Sequence, residues 1–379
     1  MKKIKRLLCL TMSLLLLCGC GTSEPHSGDH SNETGFSEKG KVTVYSEQQY
    51  KTALLQRFSH INLTEKDFSV EWVDNQEQAD IVITDCLNIL DYHKYRPLNV
   101  DELSVQPLEQ LMLRDDRGVI GLPVLLRMSG FWYDELFYQN LDQAVPRSID
   151  SWKQSDTDFP AVCEKSDYES LFWGVVAPMY LYYGGTSDEL SSGKLQQSYF
   201  TKAIAYLQEL CDQNLLRLTE DARQLFTTTQ VSFWLASDQQ IAASYNFMSN
   251  RSKLGFSSGL ILPAGNRSQC IVRSDVILVH QDADPYLTDL FLRRFFEEQT
   301  LVELSSDTQL PIACQIQYGP SVIAELAQIS YSVLSSPSVE IVYINCGWNS
   351  SEEAAIRQAL QDFAEGAVTA DESTDLNME

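Results

Sequence analysis

The order of elements at the start of the ordered region constrains this chain most. Lys41-Val42-Thr43-Val44-Tyr45 alternates β-branched and polar residues as a strand does, and Gln48 to Phe58 then carries apolar residues at helical spacing. Phe68-Ser69-Val70-Glu71-Trp72 alternates again, and Ala79-Asp80-Ile81-Val82-Ile83-Thr84-Asp85 is a compact apolar run that stops at polar residues. The last pattern is that of a buried parallel strand whose C-terminal end meets a loop. Strand, helix and strand in succession confine the fold to the α/β class with a parallel sheet. In such sheets the crevice outside the strand ends is the favoured place for a ligand.

Further along, Val119 to Val124 and Gly130 to Tyr133 are predicted to be extended, and Gln240 to Tyr245 and Asp275 to His280 are predicted strands. Thr201 to Asn214 and Pro285 to Leu301 are predicted amphipathic helices, with Leu207, Leu210 and Cys211 in the first and Leu287, Leu290, Phe291 and Phe295 in the second supplying the apolar spacing. No internal repeat of a solenoid kind is present.

Ahead of this region, Lys2, Lys3, Lys5 and Arg6 precede the apolar stretch Leu7 to Leu17, the layout of a cleaved export signal. The stretch is too short to span a bilayer, which needs about 20 residues. Leu17-Cys18-Gly19-Cys20 resembles the bacterial lipobox, although Cys18 is unusual at its position. The resemblance implies a signal peptide over 1–19 and acylation at Cys20, giving a membrane anchor on the extracytoplasmic face of a bacterial cell membrane. Residues 20–40 are rich in Ser, Gly, Glu, His, Asn and Thr, and are expected to form the lipidated cysteine and a flexible stalk; 369–379 is expected to be an acidic tail.

Charge and cysteines narrow the function. With 28 Lys and Arg against 52 Asp and Glu the net charge is −24, and loss of the four signal cations would take it to −28. A nucleic-acid partner would need clustered cations, whereas these are scattered. Six of the nine cysteines lie beyond the signal and lipobox, at Cys86, Cys163, Cys211, Cys270, Cys314 and Cys346. They show no metal-site spacing, and buried free thiols are expected over disulfides, whose 15 connectivities the sequence does not resolve. The one HxxxH spacing, His26 to His30, falls in the polar segment ahead of the first strand, and the one GxSxG spacing, Gly255 to Gly259, runs on to Pro263 and Gly265 and not into a helix as a nucleophile elbow does; no HExxH pattern, phosphate-binding loop or GxGxxG occurs. No catalytic residue, metal or cofactor is therefore assigned, and the chain is not expected to be an enzyme.

Three segments carry a family resemblance. Asp116-Arg117-Gly118-Val119-Ile120-Gly121-Leu122-Pro123, continued by Ser129 to Phe137 and then by Val145-Pro146-Arg147-Ser148-Ile149-Asp150-Ser151-Trp152, is similar to the crossover and helix start of extracellular solute-binding proteins of ABC importers, especially the carbohydrate-binding family that includes maltose-binding protein. Gln240 to Tyr245 with Lys253 to Phe256 and Leu262-Pro263-Ala264-Gly265 resembles that family's return strand, with Asn246-Phe247 where glycine-tryptophan is common. Thr288 to Ser305 followed by Leu310-Pro311 resembles the segment near its second interlobe crossing.

The resemblance covers about residues 41 to 365. It implies a two-lobe periplasmic-binding-protein-like α/β fold with a ligand cleft at the hinge between discontinuous lobes, 41–125 plus 270–325 and 126–269 plus 326–368. It also implies a monomer that captures a small-molecule ligand, a carbohydrate, and delivers it to an ABC permease in the membrane. A sensor or scaffold lipoprotein on the same fold, or a binder of a peptide, amine or acidic metabolite, is the alternative.

For ligand contacts, Asp85 corresponds to the place where the family's sugar binders offer a carboxylate to hydroxyls, against the plain alternative of a helix cap. Arg127 has a fork suited to a carboxylate, phosphate or diol, against internal pairing with an acidic residue. Trp132, Trp173, Tyr245, Phe247 and Trp348 are candidate stacking platforms, with core packing the stronger expectation for Trp173. Ser46, with Glu47 and Gln48, follows the first strand and could add hydrogen bonds. Trp152 is assigned to structure.

Overall fold

The computed structural model describes residues 40–47, 51–52, 54–55, 57–59, 68–89, 91–155, 160–248, 254–314, 316, 322–344, 347–348 and 350–366. The signal, Cys20, most of the stalk, the C-terminal tail, Gln48 and Cys346 lie outside them. Among the described residues no helix is long and apolar enough to cross a membrane.

Eleven strands form one connected sheet among the described residues: β1 Gly40–Ser46, β2 Phe68–Val73, β3 Ile81–Asp85, β4 Leu113–Asp115, β5 Gly118–Asp134, β6 Ala161–Glu164, β7 Leu216–Thr219, β8 Phe233–Ser237, β9 Leu254–Ser257, β10 Ser268–Val279 and β11 Val339–Tyr343. The order is β2-β1-β3-β10-β5-β8-β6-β7, with β4 and β9 on β5 and β11 on β10. β1 pairs in parallel with β2 and β3, as the opening pattern requires, and β6 pairs in parallel with β7 and β8. Between these two parallel groups run β10 and β5, antiparallel to each other and to their other neighbours β3 and β8.

The long strand β5 is the structural join. Its 17 residues would extend about 55 Å. Up to Met128 it pairs with β4 and β10; from Ser129 onward it pairs with β8 and β9. The two segments predicted as separately extended are therefore one strand. Pro123 sits inside it, where a central ladder would require an N–H, and the register with β10 slips beside it, between Asp275 and Val276.

Each end of β5 is buried in a different core. Val42, Val44, Ile81, Leu122, Ile277 and Phe291 belong to one. Phe131, Trp152, Leu171, Phe200, Leu207 and Leu360 belong to the other. This gives the two-lobe α/β architecture, with Trp152 structural as expected.

Three local readings are corrected. Gly40, read as the end of the stalk, opens β1. Pro285 to Leu301 is not one helix: the helices Pro285–Phe295 and Glu298–Thr308 are separated where Glu297 turns extended. Gln240 to Tyr245 is not a strand. The strand is β8, and Ser237 starts a helix, Asp238–Ser244, through a capping box in which its hydroxyl accepts from Gln240 N–H and the Gln240 side chain accepts from Ser237 N–H.

Two local features bear on the boundary between the cores. The helix Tyr168–Leu171 continues through a widened π-helical stretch, Phe172–Val176, into Ala177–Tyr182. Pro178 has no N–H for the carbonyl of Gly174 four residues earlier, and a widened turn accommodates that loss. Near the C-terminal end, the chain leaving β11 is bound to the segment after β3. Gly347 N–H donates to Ile89 O at 3.0 Å, Trp348 N–H to Leu87 O at 2.8 Å, and Cys86 Sγ–H to Ile344 O at 3.1 Å.

Gly347 is required by that approach, because a Cβ there would stand 2.2 Å from Ile89 O. Gly347→Ala is expected to cost about 1–3 kcal/mol, as overpacking against fixed backbone does. Thermal unfolding should show a melting point lowered by a few degrees. An unchanged melting point would show that the two segments can separate freely.

Candidate ligand-binding site

A cavity of about 220 Å³ opens where β3 ends and β5 and β10 cross between the two cores. Glu47, Asp85, Leu87 and Asn88 line it from the first lobe; Tyr168, Glu169, Phe172 and Trp173 line it from the second. Arg127 of β5 and Arg273 of β10 form its charged floor, and Trp348, Ile356 and Leu360 contribute from the C-terminal segment. Two other clefts have larger volumes: one of about 320 Å³ adjoins the cavity through Asn88 and continues to Tyr95 and His280 on the first lobe, and one of about 350 Å³ is lined by Leu111, Tyr331 and Tyr343.

Strand register creates the floor. Arg273 lies directly opposite Arg127, and Asp275 directly opposite Asp85. Like charges facing each other across a ladder repel, so these positions require compensation along the diagonals. They have it: Arg127 Nε is 2.8 Å from Asp275 Oδ1, and Arg273 Nη1 is 3.0 Å from Asp85 Oδ2. Arg127 Nε also lies 3.5 Å from Asp85 Oδ2. The second nitrogen of Arg273, Nη2, donates to Glu169 Oε1.

These contacts set the protonation states. Burial acts to raise the Asp85 carboxyl, but Arg273, Arg127 and the N–H of Leu87 outweigh it and hold the group below the usual carboxylate value. For Arg273, burial acts to remove the charge, while Asp85 and Glu169 outweigh it and raise the pKa. Asp238, fully buried behind the floor, accepts from Met128 N–H at 3.3 Å and Gln239 N–H at 2.9 Å, yet burial pushes it up to about 7.

The cavity wall is aromatic. Trp173 and Trp348 lie 5.2 Å apart between ring centroids, with Phe172 against both. The Arg273 guanidinium rests on Trp173, 4.8 Å from the ring centroid. Trp348 is fixed by an Nε1–H bond to Leu190 O at 2.7 Å. The first-lobe rim is ordered by Glu47, whose Oε1 accepts from Thr84 Oγ1, Asn88 Nδ2 and the Asp85 N–H.

Of the residues singled out from sequence, the structure brings Asp85, Arg127, Trp173 and Trp348 into this cavity. Asp85 is both a cap, accepting from Leu87 N–H at 3.0 Å, and a member of the charge network. Arg127 is internally paired with Asp275, the alternative considered for it. Trp173 is buried and still lines the cavity.

The other four lie elsewhere. Trp132 is fully buried, with Nε1–H donated to Ala236 O and Phe256 packed on its ring. Tyr245 donates its hydroxyl to Glu325 at 2.5 Å, and Phe247 is 66 % exposed beneath the Arg223 guanidinium. The sequence pattern puts both near a strand end, but the intervening helix Asp238–Ser244 carries them about 10 Å further along the chain. Ser46 is buried and turns its hydroxyl to the carbonyl of Glu47, which takes the lining position instead.

Arg273 and Glu169 were missed. Arg273 did carry a signal: Cys270-Ile271-Val272-Arg273-Ser274-Asp275-Val276 sets two opposite charges two apart in a β-branched run, and buried charges require partners. Among the described residues no group of His, Cys, Asp and Glu is arranged to hold a metal.

No family model matches the chain, and no curated protein matches it. Solved structures do. The putative binding protein MsmE from Bacillus subtilis, in an open conformation, superimposes with a TM-score of 0.68 at 15% identity, covering 89% of this chain and 96% of that one. Apo RafE from Streptococcus pneumoniae gives 0.67 at 13%, covering 90% and 97%. A sugar transporter from Bacillus licheniformis in complex with stachyose gives 0.64 at 12%, covering 89% and 97%. These likenesses establish the solute-binding-protein fold that the sequence motifs resemble.

Two measurements test the electrostatics. Arg127→Ala leaves Asp275 buried without its closest partner and is expected to cost about 3–5 kcal/mol in urea unfolding; a loss under about 1 kcal/mol would mean the network is slack. For Asp238 the folded pKa of about 7 exceeds the ordinary 3.8, so the folded state holds an extra proton between those values. Its contribution to stability therefore falls as pH rises through that window. Asp238→Asn should gain on the parent by more at pH 8 than at pH 5, and equal differences at both would reject the assignment.

Proposed function

We propose that the chain is a lipid-anchored extracytoplasmic solute-binding protein that captures a sugar or oligosaccharide by cleft closure and hands it to an ABC permease, doing no chemistry itself. The observation that carries the reading is the cavity at the β5–β10 crossing, where the Trp173–Trp348 pair adjoins Asp85, Glu169 and the two arginines. Apolar ring faces beside carboxylate acceptors and guanidinium donors match the two surfaces of a sugar, its C–H faces and its hydroxyls.

Supporting it, the structural neighbours include proteins described as sugar-binding, one of them with stachyose. The neutralisation of Arg127 by Asp275 favours an uncharged ligand over an acidic one. The lobes are read as 41–125 with 270–325 and 126–269 with 326–368, in keeping with the two cores that meet along β5. Cys20 is the proposed acylation site, which would hold the chain on the outer face of the membrane as a monomer.

The test is a thermal-melt panel of the chain from Thr22 onward with neutral oligosaccharides, acidic sugars, amino acids, peptides and polyamines. A ligand at 100 times its Kd adds about 2.7 kcal/mol, enough to raise the melting point by several degrees. A shift with one class of neutral sugar, lost in Asp85→Asn, is the expected outcome. A shift with peptides or amines only would overturn the carbohydrate assignment, and no shift with any of them would favour a sensor or scaffold role.

A further inference from the structure

The two arms of Arg273 reach different lobes. Nη1 holds Asp85, at the end of β3 in the first lobe, at 3.0 Å; Nη2 holds Glu169, in the first turn of the helix Tyr168–Leu171 in the second. The guanidinium plane is fixed between them by the face of Trp173. A planar fork with two donor edges is the side chain suited to such a bridge, and Lys could not reproduce it.

The two arms differ in environment. The Arg273 and Asp85 side chains are 5% and 13% exposed, whereas that of Glu169 is 50% exposed. Separating the first pair would leave a buried charge uncompensated. Releasing Glu169 would place a carboxylate already half in water fully into it, at small cost, and at 500 mM salt the screening length falls to about 4 Å, short enough to weaken the pull on Glu169 once it leaves direct contact. One arm is thus permanent and the other releasable.

We propose that Arg273 and Glu169 form an ionic latch across the cleft, drawing the second lobe onto the first before any ligand arrives. Arg273 stays with Asp85 and Trp173, and Glu169 engages and disengages as the lobes move. Ligand retention is then shared between contacts to the ligand and this internal pair, a role that rests on the cavity being the ligand site. The latch itself does not depend on that reading.

Small-angle scattering on the ligand-free chain, at 20 mM and 500 mM NaCl, tests it without any sugar. The parent is expected to be compact at low salt and to expand at high salt. Glu169→Gln should already show the expanded radius at low salt and no response to salt. Glu169→Asp, which keeps the charge on a shorter arm, should respond partially, and it serves as the readout should the Gln variant fail to fold by circular dichroism. Equal radii for parent and variants at both salt concentrations would overturn the latch.

Calorimetry with whichever sugar shifts the melting point should then show affinity several-fold weaker in Glu169→Gln, and unchanged affinity would overturn the retention role. A salt-dependent radius in the ligand-free chain, together with failure of every sugar tested to bind, would instead leave the latch standing and overturn the carbohydrate reading.

Discussion

The crossed arrangement of Arg127, Asp275, Arg273 and Asp85 is the constraint on which the junction of this molecule rests. Each strand pairing sets like charges face to face and one unlike pair on its diagonal, Arg127 with Asp275 between β5 and β10 and Arg273 with Asp85 between β10 and β3, so all four charges are matched only when the three strands are together. No two of β3, β5 and β10 can satisfy these groups without the third. The register of the central sheet is therefore specified by charge as well as by the apolar pattern, since a slip of one residue on β10 would turn Arg273 and Asp275 to the opposite face. The bulge beside Pro123 lies next to this set and absorbs the irregularity of the ladder outside it.

Much of the architecture was legible because burial writes a period into the chain. β1, β2 and β3 appear where alternation and compact apolar runs place them, and the motif order points to the right fold class although identity to solved structures of like fold is only 12 to 15%. The failures have local causes. Residues 240–245 are apolar enough to resemble a strand, but the capping chemistry of Ser237 and Gln240 decides for a helix, and capping is a matter of four residues where hydrophobic pattern is ambiguous. That single error displaced Tyr245 and Phe247 from the expected site.

The site was less legible than the fold. Asp85 and Arg127 could be found because each stands at the edge of an apolar run. Glu169 could not, because nothing in its neighbourhood distinguishes it from the other surface carboxylates; its position depends on a helix start in the second lobe reaching a strand 104 residues away. Trp173 shows the limit of the division between core and site. It is almost fully buried, and it is still cavity wall, because the π-helical stretch carries it to the boundary between the two cores.

The bonds from residues 344, 347 and 348 to residues 86–89 have a mechanical consequence. The helix Ser350–Glu365 packs on the second core, yet the chain entering it is fastened to the first lobe immediately after β3. Any swing of the lobes pivots on β5 and β10 while this third strap stays short. Any rocking of the lobes about the sheet would have to carry these bonds with it or break them. A wide opening would therefore sacrifice three bonds at once, whereas a small rotation about an axis close to the cavity would keep them.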